Sequence, residues 1–570
     1  MSCQLPTLSL LRIVLLVFIS MVIVFIEISS KWLPHRNFKH DHPTYKKMVF
    51  TKPNETSLNW SNDPFTCLSQ SISTNIAPTS NVFSTAELIN AKASYKVNDT
   101  LQIRITARDV NNVIKTCGGD YFRVKLYTAE TQSSWSIDVT NDLGNGTYMA
   151  DVTLRWPGKV AVIVTLVHPS EALRVLQRIR DLEPGRMVFD GRYLKTLDSG
   201  VGISEDVMCR SKVFRNHSLC NFTDERSGYP WFCVAPSKNT LSCDDWKLYV
   251  NDPKLGEKYT MRAVSKEELN IFKIHKLPIK HPPPPLNVVG DSNDWKKKVF
   301  AYQDSLPSCR PGQHLHNPSP SGFYSNNTWF SDQCKLRRFT KTDVLQCLQN
   351  RAVHIFGDST ARQFFWEFAD NYKPNIVAGK IPIDLRKGLV RPLYAKGAKF
   401  NISIDFKFHG FPNRPSDFIS KETITYIVNE LDGLKVDSRS VILICVGTHY
   451  TTYPLEMYEK RMRDIKEAAQ RLHKRSPQTL VVFKSSNTRE YNNRLHQLHN
   501  SEWYIVTLDL ALREVLKDSP ELAFIDAWDM TIAQNSKDSV HPRQAVLSNL
   551  INNFLSYICP DAPSPLLSHI

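Results

Sequence analysis

The sequence predicts an α/β domain built on a parallel sheet with helices on both faces, preceded by an antiparallel β-sandwich. Strand-like alternation with Gly-Gly and Asn-Gly turns fills the first half of the chain. From Val299 onward, short apolar strands instead alternate with helical stretches. A proline-rich segment separates the two patterns. Since the chain has 570 residues, more than one hydrophobic core is expected.

The N-terminus carries a membrane-insertion signal. Residues 10–28 are almost wholly apolar and are interrupted only by Arg12, Ser20 and Glu27. No convincing small-x-small cleavage site follows, so we predict a signal-anchor helix rather than a cleaved signal peptide. Residues 1–9 then form a short cytoplasmic tail, and residues 29–62 form a lumenal stem.

Sequons and cysteines favour lumenal exposure of everything after this helix. Sequons for N-glycosylation occur at Asn54, Asn59, Asn98, Asn145, Asn216, Asn221, Asn326 and Asn401. Apart from Cys3, which would be cytosolic, and Cys445, which lies in an apolar strand, an even number of cysteines remains for disulfides. These are Cys67, Cys117, Cys209, Cys220, Cys233, Cys243, Cys309, Cys334, Cys347 and Cys559. We predict a type II membrane protein with lumenal domains, or alternatively a secreted one.

The β-sandwich is predicted over residues 63–280, including a cysteine-rich segment from Cys209 to Cys243. Its strand candidates are Tyr95 to Arg108, Phe122 to Tyr127, Gly146 to Leu154 and Val160 to Leu166, followed by a short helix from Ala172 to Arg180. This half gathers no nucleophile, base and orienting group, so binding or structure is its expected role. His168 is interpreted as a structural histidine. Residues 281–298 begin with His-Pro-Pro-Pro-Pro and form a stiff linker.

The α/β domain is predicted over residues 299–570. Its strand candidates are Ala352 to Phe356, Phe400 to Phe408, Val441 to Val446, Leu480 to Phe483, Tyr504 to Leu508 and Leu522 to Ile525. Helical patterns cover Thr360 to Tyr372, Glu456 to His473 and a stretch ending near Tyr557. In such a sheet, reactive side chains belong at the carboxyl ends of the strands.

Ser359 is the candidate nucleophile. An apolar strand breaks at Gly357 and a helix follows, which is the strand–turn–helix context that exposes a serine. Backbone N–H groups and the positive end of the helix dipole would lie beside it. Asp358 is interpreted mainly as the N-cap of that helix, and His354 as a residue packed in the sheet.

Asp538 and His541 complete a candidate triad. Their spacing on one loop allows the carboxylate to hold one imidazole nitrogen and to turn the other toward a serine. Asp526 and Asp529 are alternative orienting carboxylates, less well placed by spacing. No cysteine pair has convincing zinc spacing, and no metal site is predicted.

Two further strand ends offer groups for an oxyanion or a substrate. Gly410 and Gly447 follow predicted strands, and His449 or Thr448 lies beyond the second glycine. A tight turn explains Gly410 equally well, but it explains Gly447 less well. Arg362 lies one helical turn after Ser359, where it would clamp a substrate carboxylate or pair with a structural aspartate.

These motifs resemble known families. Gly357-Asp358-Ser359 with Asp538-x-x-His541 resembles the SGNH (GDS-type) hydrolase pattern, in which Asn is expected where His449 or Thr448 stands. The run from Cys309 through Phe-Gly-Asp-Ser-Thr-Ala-Arg-Gln resembles the opening of a PC-esterase domain. Asn-Gly-Thr-Tyr and Val-His-Pro-Ser-Glu in the first half resemble a neurexophilin-like domain, which implies an immunoglobulin-like fold. The order of the two domains resembles the NXPE (neurexophilin and PC-esterase domain) family.

The resemblance implies acyl transfer to glycans. The expectation is an O-acetyltransferase acting on glycoprotein glycans, including sialic acid, in the Golgi lumen with acetyl-CoA as donor. The alternatives are a glycan O-acetyl esterase, or a secreted or anchored binding protein with an inactive esterase domain and a protein receptor. The net charge of +15 is spread along the chain without a polybasic block, so it agrees with an anionic substrate better than with nucleic acid.

Overall fold

The computed structural model describes residues 77–182, 186–224, 229–313, 320–379, 390–491, 493–535 and 539–560. The predicted tail, anchor helix and stem, Asn54, Asn59, Cys67 and Asp538 lie outside these ranges. None of the helices inside them combines the length and the apolarity needed to cross a bilayer.

The strands are numbered in chain order. They are β1 (Thr85–Ile89), β2 (Tyr95–Lys96), β3 (Thr100–Thr106), β4 (Tyr121–Thr128), β5 (Ser133–Asp138), β6 (Asn141–Asp142), β7 (Thr147–Thr153), β8 (Gly158–His168), β9 (Phe189–Thr196), β10 (Gly202–Arg210), β11 (Leu219–Asn221), β12 (Phe232–Val234), β13 (Trp246–Asn251), β14 (Leu277–Pro278), β15 (Leu286–Val289), β16 (Gly322–Ser325), β17 (Thr328–Ser331), β18 (Ala352–Gly357), β19 (Val377–Ala378), β20 (Leu393–Gly397), β21 (Ile402–Phe408), β22 (Ile419–Ser420), β23 (Ser440–Cys445), β24 (Leu480–Lys484) and β25 (Leu522–Ile525).

The α-helices are Ser170–Leu182, Pro253–Arg262, Lys266–Ile271, Ser292–Ser305, Lys341–Leu348, Ser359–Asn371, Ile427–Gly433, Leu455–Arg475, Arg494–Asn500, Glu502–Leu516, Ala527–Ala533 and Gln544–Ile558. Ser359–Asn371 is called the nucleophile helix below.

Two sheets of the N-terminal half share one hydrophobic core. One has the order β1-β3-β7-β6, and the other β17-β16-β5-β4-β8-β15-β2. Alternate residues point inward, so Ile103 and Ile105 of β3 meet Val124 and Leu126 of β4 in that core. The predicted strands of this half are confirmed, although Tyr95 to Arg108 is divided into two.

Strands that follow the proline-rich segment predicted as a linker pair with strands that precede it. β15 lies beyond the prolines and pairs with β8, and β16 pairs with β5. β22, from the C-terminal half, pairs with β13 in the cysteine-rich sheet. The described residues accordingly all belong to one compact unit.

The C-terminal sheet has the order β19-β20-β21-β18-β23-β24-β25. Its last five strands in this order, β21, β18, β23, β24 and β25, run parallel. Successive residues of β18 point to opposite faces. Ile355 packs with Phe364 of the nucleophile helix, whereas Phe356 packs with Met462 on the other face. The predicted parallel sheet with helices on both faces is therefore present.

One predicted strand is wrong. Residues 504–508 lie within the helix Glu502–Leu516, whose N-terminus is capped by Ser501 through a bond from the backbone N–H of Trp503. Tyr504, Ile505 and Leu508 are all buried. Burial on several sides of a helix gives a continuous apolar run, which resembles a buried strand in sequence.

The cysteines and sequons behave as expected of a lumenal chain. Disulfides join Cys209 to Cys233, Cys220 to Cys243, Cys309 to Cys334 and Cys347 to Cys559. Cys445 is a free, buried thiol in β23. The sequon asparagines in the described ranges are all exposed, namely Asn98, Asn145, Asn216, Asn221, Asn326 and Asn401.

Candidate active site

Ser359 lies at the first turn of the nucleophile helix, directly beyond the carboxyl end of β18. Gly357 has φ +154, and a Cβ there would lie 2.0 Å from the carbonyl oxygen of Cys445. Asp358 caps the helix by accepting hydrogen bonds from the N–H and the hydroxyl of Thr360, at 2.8 and 2.7 Å. The tight turn therefore requires glycine, and the interpretation of Asp358 as a cap is confirmed.

The strand register brings the neighbouring loops to Ser359. Gly357 pairs with Phe408 on β21 and with Cys445 on β23, so these three strands end at the same level. The segments after β21 and β23 therefore begin beside the nucleophile. They carry Gly410 and Gly447, as the carboxyl-edge argument predicted.

His541 meets Ser359 across the sheet edge. Its Nε2 lies 2.8 Å from Ser359 Oγ, within hydrogen-bond distance for a base and its nucleophile. Although His541 is exposed, desolvation by the surrounding protein lowers its pKa below its ordinary value, and Arg362 and Arg489 act in the same direction while Asp358 opposes them. A neutral imidazole, the form that accepts a proton, is thereby favoured at neutral pH.

Three side chains hold the loop that carries His541. Gln363 Nε2 donates to the carbonyl of Pro542 at 3.1 Å, and Asn487 Nδ2 donates to that of Val540 at 3.4 Å. Ser539 Oγ accepts from the N–H of His541 at 3.2 Å. Sequence reasoning missed these residues, although Ser485-Ser486-Asn487 is a polar run directly after an apolar strand.

Asp538, the predicted orienting residue, lies outside the described residues. The two alternative carboxylates are engaged elsewhere. Asp526 Oδ2 accepts from Arg513 at 2.6 Å, and Asp529 Oδ2 accepts from the N–H of Ser321 at 2.6 Å. These bonds assign Asp526 and Asp529 to structural roles.

The segments beyond β21 and β23 supply a buried pair of imidazoles rather than an asparagine. His409 Nε2 lies 3.0 Å from His449 Nδ1, and the ring of His449 stacks on Phe408. Burial lowers the pKa of His409 to about 4 and lowers that of His449 well below its usual value. Thr448 donates its N–H to Asp358 at 3.3 Å, so this N–H already has an acceptor.

Both glycines of these segments are closely packed. A Cβ at Gly410 would lie 2.4 Å from the ring of Tyr426, and one at Gly447 would lie 1.9 Å from Ser486 Oγ. Close approach thus explains why each position is glycine. Their role toward an oxyanion remains a prediction.

Three arginines bring positive charge to the neighbourhood of His541 and His449. Arg362 is 7% exposed, and burial lowers the pKa of its guanidinium to about 10 while Asp358 opposes the shift. Arg414 donates to Thr452 Oγ1 at 3.1 Å and to the carbonyl of His449 at 3.4 Å. Arg489 lies near His541, and its Nε has no hydrogen-bond partner among the described residues. This setting would stabilise negative charge on a bound group.

The remaining histidine predictions concern structure. His168 Nε2 lies 2.7 Å from Ser501 Oγ in a buried contact, which confirms its structural role. His354 Nδ1 lies 2.6 Å from Asp405 Oδ1 on the neighbouring strand β21. Among the described residues, no group of three or more histidine, cysteine, aspartate or glutamate side chains is arranged to hold a metal ion.

Comparison with known families agrees with this architecture. Residues 329–559 match the family described as NXPE family member 4-like, C-terminal domain. Residues 58–268 match the Neurexophilin family. The disulfides and the Neurexophilin match together indicate a protein of the secretory pathway. The chain is a member of the NXPE family.

Proposed function

We propose that this protein transfers acyl groups to glycoprotein glycans, with Ser359 as the nucleophile and His541 as the general base. The observation that carries the proposal is the 2.8 Å contact between Ser359 Oγ and His541 Nε2 at the N-terminus of a helix. Asp538 is proposed to fix the imidazole tautomer, as an aspartate does in other serine triads.

The proposed reaction has two halves. His541 takes the proton of Ser359 as Oγ attacks the acyl carbonyl carbon, and the donor's leaving group departs with that proton. A sugar hydroxyl then gives its proton to His541 and attacks the acyl-serine; as the ester forms, the bond from the acyl carbon to Ser359 Oγ breaks and His541 returns the proton to Oγ. The backbone N–H of Ser359, with Gly410, Gly447 or His449, is proposed to hold the oxyanion, and one such donor is typically worth about 10²–10³ in rate.

The proposed acceptor is an acidic sugar, with sialic acid as the first candidate. Arg362 and Arg489 act on His541, Arg414 acts on the neighbouring His449, and these positive charges favour an anion. Acetyl-CoA is the proposed donor by analogy with PC-esterase relatives. The proposed location is the Golgi lumen, with a type II membrane anchor over residues 10–28, so the donor would have to be present in the lumen.

The same dyad would serve an esterase if water resolved the acyl-serine. The O-acetyl content of sialic acids released from cells expressing wild type, Ser359→Ala or the surface control Ser416→Ala separates the two reactions. We expect a rise with wild type and with the control, and none with Ser359→Ala. A fall that requires Ser359 would establish an O-acetyl esterase. Equal values for all three proteins would remove sialic acid as substrate, and a receptor-binding role would gain support if other glycans also gave equal values.

A further inference from the structure

A buried ion network joins the N-terminal sheet to the C-terminal half. The side chain of Glu502 is fully buried and accepts from Arg123 Nη1 at 3.0 Å and from Lys276 Nζ at 2.9 Å. Arg123 lies on β4, and its Nε donates to Asp138 on β5 at 2.7 Å. Because buried charges are costly unless paired, this geometry holds the two halves in a fixed relation.

Lys276 also holds the segment that follows β24. Its Nζ donates to the carbonyl of Arg489 at 3.2 Å and to Glu490 Oε1 at 2.8 Å. Lys276 itself is anchored on β8, since its N–H donates to the carbonyl of Val167. The position of the Arg489 backbone is therefore set by the N-terminal sheet.

The same segment reaches the loop of His541. Asn487 donates to the carbonyl of Val540, the residue before His541. A second contact comes from β4, where Lys125 Nζ donates to the carbonyl of Gln534 at 2.7 Å, shortly before that loop. Lys125 on β4 and Lys276, which is hydrogen-bonded to β8, thus contact two segments that precede His541 in the chain.

We propose that the N-terminal sheet is a working part of the acyl-transfer site, and that Lys276 is a positioning residue which holds the segment of Asn487 and Arg489 against the His541 loop. This inference rests on the proposed function. Asp358, Arg362 and Arg489 are the charged groups that act on His541 among the described residues. Removing the Lys276 contacts would let the Arg489 segment move away, leaving Asp358 and Arg362 in place.

The consequence is a measurable change in the pKa of His541, the proposed base. Arg489 lowers the pKa of His541, because a neighbouring positive charge disfavours the imidazolium. If Arg489 moves away, the pKa of His541 rises. His541 then becomes protonated at a higher pH. The acid limb, which is the pH range over which the reactivity of Ser359 falls on acidification, therefore shifts to higher pH.

The test measures the rate at which a fluorophosphonate probe labels Ser359 in the full-length chain, as a function of pH. We expect Lys276→Met and Arg489→Gln each to raise the acid limb by about half a pH unit or more. The double variant Lys276→Met/Arg489→Gln should have the same acid limb as Arg489→Gln alone, since both changes remove the effect of Arg489 on His541. Lys276→Arg should restore the wild-type profile, and the exposed Lys280→Met serves as the matched control.

An unchanged acid limb in Lys276→Met, or shifts that add in the double variant, would overturn the inference, because loss of folded protein alone changes the amplitude and not the limb. If Lys276→Met does not fold, the double variant Lys276→Met/Glu502→Gln, which removes both charges of the ion pair, is compared with the wild type instead. Failure of the proposed function is distinct, since the wild type itself would then not be labelled at any pH.

Discussion

His541 Nε2 lies 2.8 Å from Ser359 Oγ, although the two residues are 182 positions apart in the chain. The contact forms because β18 lies at the centre of the parallel sheet and the loop before the helix Gln544–Ile558 returns to its carboxyl edge. The proposed nucleophile and its proposed base thus come from distant parts of the C-terminal half.

Replacing His541 should abolish nucleophilic reactivity while leaving the fold intact. His541→Gln removes the base, so fluorophosphonate labelling of Ser359 at pH 7 should fall about 10³-fold or more. In the wild type the acid limb should lie below pH 6.5, because the pKa of His541 is lowered. The exposed His217→Gln is the control. Equal labelling of wild type and His541→Gln would contradict the assignment of the base.

Gly357→Ala should destabilise the protein strongly. Its φ of +154 and a Cβ 2.0 Å from the Cys445 carbonyl leave no room for a side chain. We expect a loss of about 3 kcal/mol or more in the free energy of unfolding. At Gly433 a Cβ would meet nothing within 4 Å, so Gly433→Ala should change stability by about 1 kcal/mol or less. Denaturant melts compare the two, and similar values would refute the steric argument.

The Cys347–Cys559 disulfide should contribute more stability than Cys209–Cys233. The two bonds close loops with sequence separations of 212 and 24 residues. Chain-entropy arguments give about 5 and about 3.5 kcal/mol, respectively. Paired Cys→Ala variants, followed by thermal unfolding, test the order. A larger loss for the shorter loop would show that native contacts, rather than loop length, decide the outcome.

Acid should destabilise the fold between pH 6.5 and about 4. Burial lowers the pKa of several histidines, and the shift is large for His168, His275, His409, His449 and His499. In this window the unfolded chain binds protons that the folded chain does not, so stability falls as the pH falls. His409→Gln should flatten the dependence of the unfolding free energy on pH, whereas the exposed His217→Gln should leave it unchanged. A pH-independent wild type would refute this.

The sequence predicted most of the sheet, because period-two alternation and short apolar strands are local signals. It also paired Ser359 with His541, which the structure places within hydrogen-bond distance, since a strand–turn–helix break and a loop before a helix are both visible in one dimension. It was wrong at residues 504–508, where a helix buried on several sides resembles a strand in sequence.

The sequence by itself determined the order of elements, the turn at Gly357 and the residues of the dyad, because each depends on neighbours along the chain. Only the tertiary structure decided which groups surround them. Gln363 and Asn487 hold the His541 loop, and Lys276, hydrogen-bonded to β8, reaches the Arg489 segment. These contacts join residues far apart in sequence, so only the tertiary packing of the chain brings them within hydrogen-bond distance.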